Sequence, residues 1–75
     1  MKLSFRGARI NAGFRQDIAA QKLNVSVATL SAWERGKWLP NILKSMEMAK
    51  LYGIDVNDFS FDPEADKKRL ATTEG

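Results

Sequence analysis

The run from Arg15 to Lys37, RQDIAAQKLNVSVATLSAWERGK, constrains what this chain can fold into more tightly than any other part of it. It carries two short apolar patterns at helical spacing, broken only at Leu23-Asn24-Val25-Ser26. Asn tolerates the left-handed conformation and ends a helix much as Gly does, while Ser is a strong N-cap. The first pattern, Arg15 to Leu23, places Ala19, Ala20 and Leu23 on one stripe, and the small alanines admit a close neighbour. The second, Val27 to about Arg35, turns Leu30 and Trp33 inward, sets Glu34 on the next face and stops at Gly36. Two helices joined by so tight a turn cross at a steep angle, with Val25 as the buried residue of the turn, and need other helices to cover them.

The flanking sequence supplies that cover. Residues 4–12 read as a first helix capped by Ser4, with Phe5, Ala8 and Ala12 on one face and Gly13 as its stop; Phe14 packs between helices. Lys37 to Asn41 form a loop, in which Pro40 breaks the helix and Asn41 caps the next one. That next helix covers Ile42 to Tyr52, with Ile42, Ser45, Met48, Ala49 and Tyr52 sharing a face, Ser45 being the odd polar member. Met46 and Met48 are expected to act as packing fillers. Gly53 closes the helix, Ile54 packs, and Asp55 caps a short fifth helix, Val56 to Phe59. Phe61 is expected to add one more apolar contact. The expected fold is all-α, a five-helix cluster with short loops and no strand alternation. The composition changes at Asp62: DPEADKKRLATTEG has one large apolar residue, Leu70. Residues 1–61 are therefore expected to form one domain and 62–75 a flexible tail or the start of a linker.

Composition narrows the chemistry. Seventy-five residues bury one small core. There is no Cys and no His, so disulfides, thiolate zinc sites, thiol nucleophiles and the usual general base are all missing. No paired acidic motif or phosphate loop replaces them; the chain is not expected to be an enzyme or to hold a metal or cofactor. No apolar run is long enough to cross a bilayer and Met1-Lys2-Leu3-Ser4-Phe5-Arg6 lacks a signal-peptide core, so no membrane role is expected and the cytoplasm is the expected compartment. The charge is uneven: residues 1–61 carry nine Lys and Arg against five Asp and Glu, a net of +4, while the whole chain carries +3. A basic folded part suits a phosphate-binding surface, and equally suits a mildly basic solvated one.

Gln16, Ala20, Leu23, Val25-Ser26, Leu30, Trp33-Glu34, Gly36, Pro40, Gly53 and Ile54 stand at the spacing of the Cro/phage-repressor type of helix-turn-helix domain, the XRE-like family. The chain resembles that family over about residues 3–60, and Thr29-Leu30-Ser31-x-Trp33-Glu34-x-Gly36 is the specific part of the match. Met1-Lys2-Leu3-Ser4 and Leu51-Tyr52-Gly53 look like small phage or mobile-element regulators of Gram-positive bacteria. The resemblance implies a lambda-repressor-like five-helix fold, binding to a double-stranded DNA operator and a homodimer on DNA. It implies that Gln16, opening the second helix, donates to a backbone phosphate beside a helix N-terminus. It also implies base contacts from the start and outer face of the third helix, here Val27, Ala28, Thr29 and Ala32 with Ser31 at the margin, and Arg9 as partner of Glu34. Arg35 and Lys37 suit phosphate contact. Arg15 stands where the family usually has a Ser or Thr cap; it either trades capping for a phosphate contact or is simply solvated.

The chain departs from the family where it reads bases. Gln, Arg, Lys or Asn are common at the outer positions, whereas Val27, Ala28 and Ala32 cannot make bidentate bonds to guanine or adenine. These three are expected to be exposed, because Leu30 and Trp33 already fill the inward stripe. They can touch thymine methyl groups, and Thr29 or Ser31 can add a single bond; otherwise discrimination falls to DNA shape. Trp38 and Leu39 form an apolar pair in a basic loop. Either they are a partner contact, for a second subunit, another protein or the DNA backbone, or Trp38 folds back onto the fourth helix. Two functions follow: a DNA-binding regulator of phage or mobile-element type, or a modulator or anti-repressor that binds another regulator protein.

Overall fold

Four helices build the described part of the chain, three of them capped at the start by a side chain and all four followed by a positive-φ residue. The computed structural model describes residues 2–60. Phe61 and the 62–75 segment, with the domain boundary between them, lie outside the described residues. The elements are α1 (Phe5–Asn11), α2 (Gln16–Leu23), α3 (Val27–Glu34), α4 (Ile42–Tyr52) and a 3-10 turn, Val56–Asp58. Three helix starts are capped as the sequence predicts. Ser4 Oγ accepts from the Gly7 amide at 2.9 Å, Ser26 Oγ from Thr29 at 3.0 Å, and Asn41 Oδ1 from Lys44 at 2.8 Å. At α2 the cap position is Arg15, which makes no side-chain cap bond.

The helix ends share one device. Asn24 adopts φ 59°, and the Val25 amide reaches back to the Ala20 carbonyl at 3.0 Å. This reversal satisfies carbonyls that the helix leaves open, and it needs a residue tolerant of left-handed backbone. The same return bond follows the positive-φ Gly after α1, α3 and α4: Phe14 to Arg9, Lys37 to Ala32, and Ile54 to Ala49, at 2.9–3.1 Å.

The buried faces follow the helical stripes. Phe5, Ala8, Ala19, Ala20, Leu23, Leu30, Trp33, Met48, Ala49, Tyr52 and Phe59 form one core, with Leu3, Phe14, Val25, Leu51, Ile54 and Val56 packed around it. Ser45 is buried with them. Phe59 lies 4.7 Å from Phe5, ring centroid to ring centroid, and meets the Tyr52 ring edge-on at 6.4 Å.

Three expectations are corrected here. The fifth helix, expected over Val56 to Phe59, is a single 3-10 turn, so the described residues hold four α-helices rather than five. Its continuation is blocked because the Leu3 amide takes the Asp58 carbonyl at 2.8 Å, and Ser60 donates to the Leu3 carbonyl at 2.7 Å. Phe59 is therefore extended and forms a parallel bridge with Leu3. On α4, Ile42 does not join the buried face and Met46, unlike Met48, is not a packing filler: both are exposed, as is Leu43. The first turns of α4 run past the core, and only the stretch from Ser45 onward supplies buried residues.

Candidate nucleic-acid interface

The turn between α2 and α3 is held from three sides. Asn24 reverses the chain, Ser26 caps α3, and from α4 the Lys44 ammonium donates to the Leu23 carbonyl at 2.9 Å. Lys44 thereby fills one of the open carbonyls at the end of α2 with a cation, where the helix dipole favours one.

A buried ion pair joins α1 to the end of α3, and Gln16 ties the start of α2 to the same carboxylate. Arg9 Nε donates to Glu34 Oε2 at 2.7 Å and its Nη2 to Oε1 at 3.1 Å, a bidentate geometry. The Arg9 side chain is 9% exposed and that of Glu34 2%. The third guanidinium nitrogen donates to the Phe14 carbonyl at 2.8 Å. Gln16 Nε2 donates to Glu34 Oε1 at 3.0 Å. Both charges are thus matched by polar partners, as burial requires. The network ties α1 and the following loop to the first residue of α2 and the last of α3. Because Gln16 and Glu34 touch, their chain neighbours Arg15 and Arg35 flank one junction. Both are exposed.

The outer side of α3 is small and largely apolar. Val27 is 44% exposed and Ala28 is exposed, while Thr29 and Ser31 are half-buried. Ser26 Oγ donates to Thr29 Oγ1 at 2.9 Å, which leaves the Thr29 hydroxyl hydrogen free to donate outward. Ala32 corrects the expectation: it is 2% exposed, so its methyl does not belong to the outer face. The reversal at Gly36 brings the Lys37 amide to the Ala32 carbonyl at 2.9 Å, which doubles the chain back along this turn of α3. Arg35 and Lys37 are exposed and form no ion pair with a described residue. Arg15 pairs weakly with Asp17, at 3.3 Å on the open surface. Exposed pairs of this kind contribute little and leave the guanidinium available.

Two crossed helices, a capped turn and a buried brace between their far ends are the parts of a helix-turn-helix. A family model for the helix-turn-helix of Cro/C1 type matches residues 5–59. The chain belongs to this XRE-like family. It is accordingly a DNA-binding domain of the kind carried by transcription regulators. Comparison with curated proteins and with solved structures returned no match.

Beyond the helix-turn-helix proper, two features escaped the sequence reading. The first is the extent of the apolar patch: Trp38 and Leu39 are exposed, as one of the two expectations has it, and they continue into Ile42, Leu43 and Met46, all between 51% and 70% exposed. The signal lies in the spacing, since 42, 43 and 46 share a face, whereas the sequence reading sets Ile42 on the inward stripe, takes Met46 as a packing filler and does not place Leu43. The second is Tyr52. Its hydroxyl is buried with no hydrogen-bond partner among the described residues. Burial pushes its pKa up from 10.0 to about 12; the nearby Glu34 carboxylate pushes the same way and Arg9 partly opposes. No helix among the described residues is long and apolar enough to cross a membrane.

Proposed function

We propose that this helix-turn-helix protein is a cytoplasmic transcription regulator of phage or mobile-element type that occupies an operator as a homodimer, with α3 in the major groove. In this reading it acts by binding alone, as a repressor that denies the site to other proteins, and performs no catalysis. The observation that carries it is the Gln16–Glu34 bond, which holds the start of α2 against the end of α3 with Arg15 and Arg35 exposed beside it. A helix start with cations at its flank is suited to a backbone phosphate. Val27, Ala28 and Thr29 then face base edges, with Ser31 at the margin, and Lys37 adds a phosphate contact. With no bidentate side chain among them, methyl contact to thymine and DNA shape supply the discrimination.

The test is a gel shift on the DNA flanking the gene, with an unrelated duplex as control. Ala28→Glu sets a negative charge on the exposed side of α3, where it costs no packing. Binding should be nearly abolished while the thermal melt stays unchanged. A folded Ala28→Glu variant with full affinity would remove α3 from the groove.

A second reading is supported by the same apolar outer face and by the exposed Trp38 and Leu39: a modulator that binds another regulator. It calls for a shift that appears only when that regulator is present, and for indifference to Ala28→Glu on DNA alone.

A further inference from the structure

The Leu23 carbonyl closes α2, and among the described residues no backbone amide donates to it. Its donor comes from another helix: the Lys44 ammonium, at 2.9 Å, which also donates to the Glu47 carboxylate at 3.1 Å. Lys44 is itself fixed at the start of α4, where the Asn41 side chain accepts its amide. The turn before α3 is thus tied to α4, while Glu34 at the other end of α3 is tied to α1 and α2. We infer that Lys44 is a positioning residue for sequence reading: it touches no DNA itself and sets the pose of α3. The inference rests on the DNA-binding role proposed above and deepens it by naming what fixes specificity.

Three observations carry it. The first is the shortness of the reading side chains. Val27, Ala28 and Thr29 begin four residues after the tethered carbonyl, and none has a long side chain that can swing to regain a lost contact. A gap of roughly 0.5–1 Å forfeits about a quarter to a half of a van der Waals contact, so a thymine methyl is felt only where α3 stands in one place. The second is that the phosphate contacts make no such demand. Arg15, Arg35 and Lys37 are exposed, long and flexible, and follow a small shift of the helix. Loss of the tether therefore costs discrimination and spares attachment, since phosphate contacts carry no sequence information. The third is that Lys44 is already engaged. Its side chain is 23% exposed, and its charge is matched by Glu47 and by the carbonyl end of α2. Because the bond is not sealed from water, the Leu23 carbonyl takes water when the ammonium is removed, and the fold loses little.

The experiment uses the full chain and two duplexes of equal length, one selected from a random-sequence pool by the unmodified chain and one unrelated. Binding is followed by fluorescence anisotropy, well below the melt of each variant. Lys44→Met keeps the apolar stem and removes the ammonium. It should weaken binding to the selected duplex about tenfold, the size of one mismatched base pair, and leave the unrelated duplex and its salt slope unchanged. Lys44→Arg, which can still donate to the carbonyl, should recover most of the loss. Glu47→Gln, which leaves the Leu23 bond in place, should match the unmodified chain. Equal loss on both duplexes, with a slope shallower by about 0.9, makes Lys44 a phosphate contact and overturns the inference. Selective binding that ignores Lys44→Met overturns the inference and leaves the DNA reading standing. A pool that yields no bound duplex overturns the DNA reading, and the inference with it.

Discussion

Removing the Glu34 carboxylate should be the most damaging single change in this domain. In Glu34→Ala, Arg9 keeps its bond to the Phe14 carbonyl but loses both bonds to the carboxylate while remaining almost wholly buried. An uncompensated buried charge of this kind costs about 3–5 kcal/mol. Gln16 adds little, since it is only half-buried and can turn to water. We therefore expect a loss near 3 kcal/mol, a large share of the total for a small domain and about 15 °C in melting temperature. Replacing both partners with apolar residues, Arg9→Met with Glu34→Leu, should recover at least half of the loss, because no buried charge is left alone. The assay is urea unfolding followed by circular dichroism, comparing midpoints at constant slope. A Glu34→Ala midpoint within about 1 kcal/mol of the parent, or a double variant as weak as the single one, would refute the reasoning. The recovered double variant also separates two roles of the carboxylate. If Glu34 positions Gln16, its DNA affinity stays low although its stability returns.

Three other outcomes are expected. Ser26→Ala should lower stability by about 1 kcal/mol through loss of the α3 cap, and an unchanged melt would move the start of α3 elsewhere. DNA affinity should fall with salt at a log–log slope of roughly −3.6 per subunit if Arg15, Arg35, Lys37 and Lys22, exposed in the last turn of α2, neutralise about four phosphates; a slope near zero points to a protein partner. Tyr52 keeps its proton in the fold up to about pH 12, whereas the unfolded chain releases it near 10.0. Its contribution is therefore complete below pH 10 and lost as pH rises toward 12, and Tyr52→Phe, measured against the parent in that window, should lack this part of the decline.

Much of the architecture was legible because its signals are local. Asn24, Ser26, Gly36 and Gly53 act on their own few residues, and Leu30 and Trp33 lie at a spacing that leaves no other face to bury. The Arg9–Glu34 pair followed from the family resemblance, not from spacing. What failed were judgements needing the third dimension. Whether Ile42 is buried depends on how far α4 overhangs the core, and nothing in its own stripe reports that. Ala32 is buried although it lies off the Leu30 and Trp33 stripe, and the period of its own helix does not report that. The last turn is ended by Leu3, far away in sequence, so capping rules applied at Asp55 could not reveal the stop. Gln16 was placed at the right helix end, but its bond to Glu34 joins two helices and has no periodicity to betray it.

The bridge between Leu3 and Phe59 also has a mechanical meaning. It is parallel, so the chain enters at one end of the bridge and leaves at the other. Tension applied through residues 2 and 60 pulls the two strands past each other. The bonds from Leu3 to Asp58 and from Ser60 to Leu3 are then loaded together, in shear, instead of being peeled one after the other. They carry the load before any helix does. The clasp is these two bonds with the Lys2 ammonium on the Asn57 carbonyl beside them, so a modest force should open the ends and uncover Phe59, while the locally capped helices yield only afterwards.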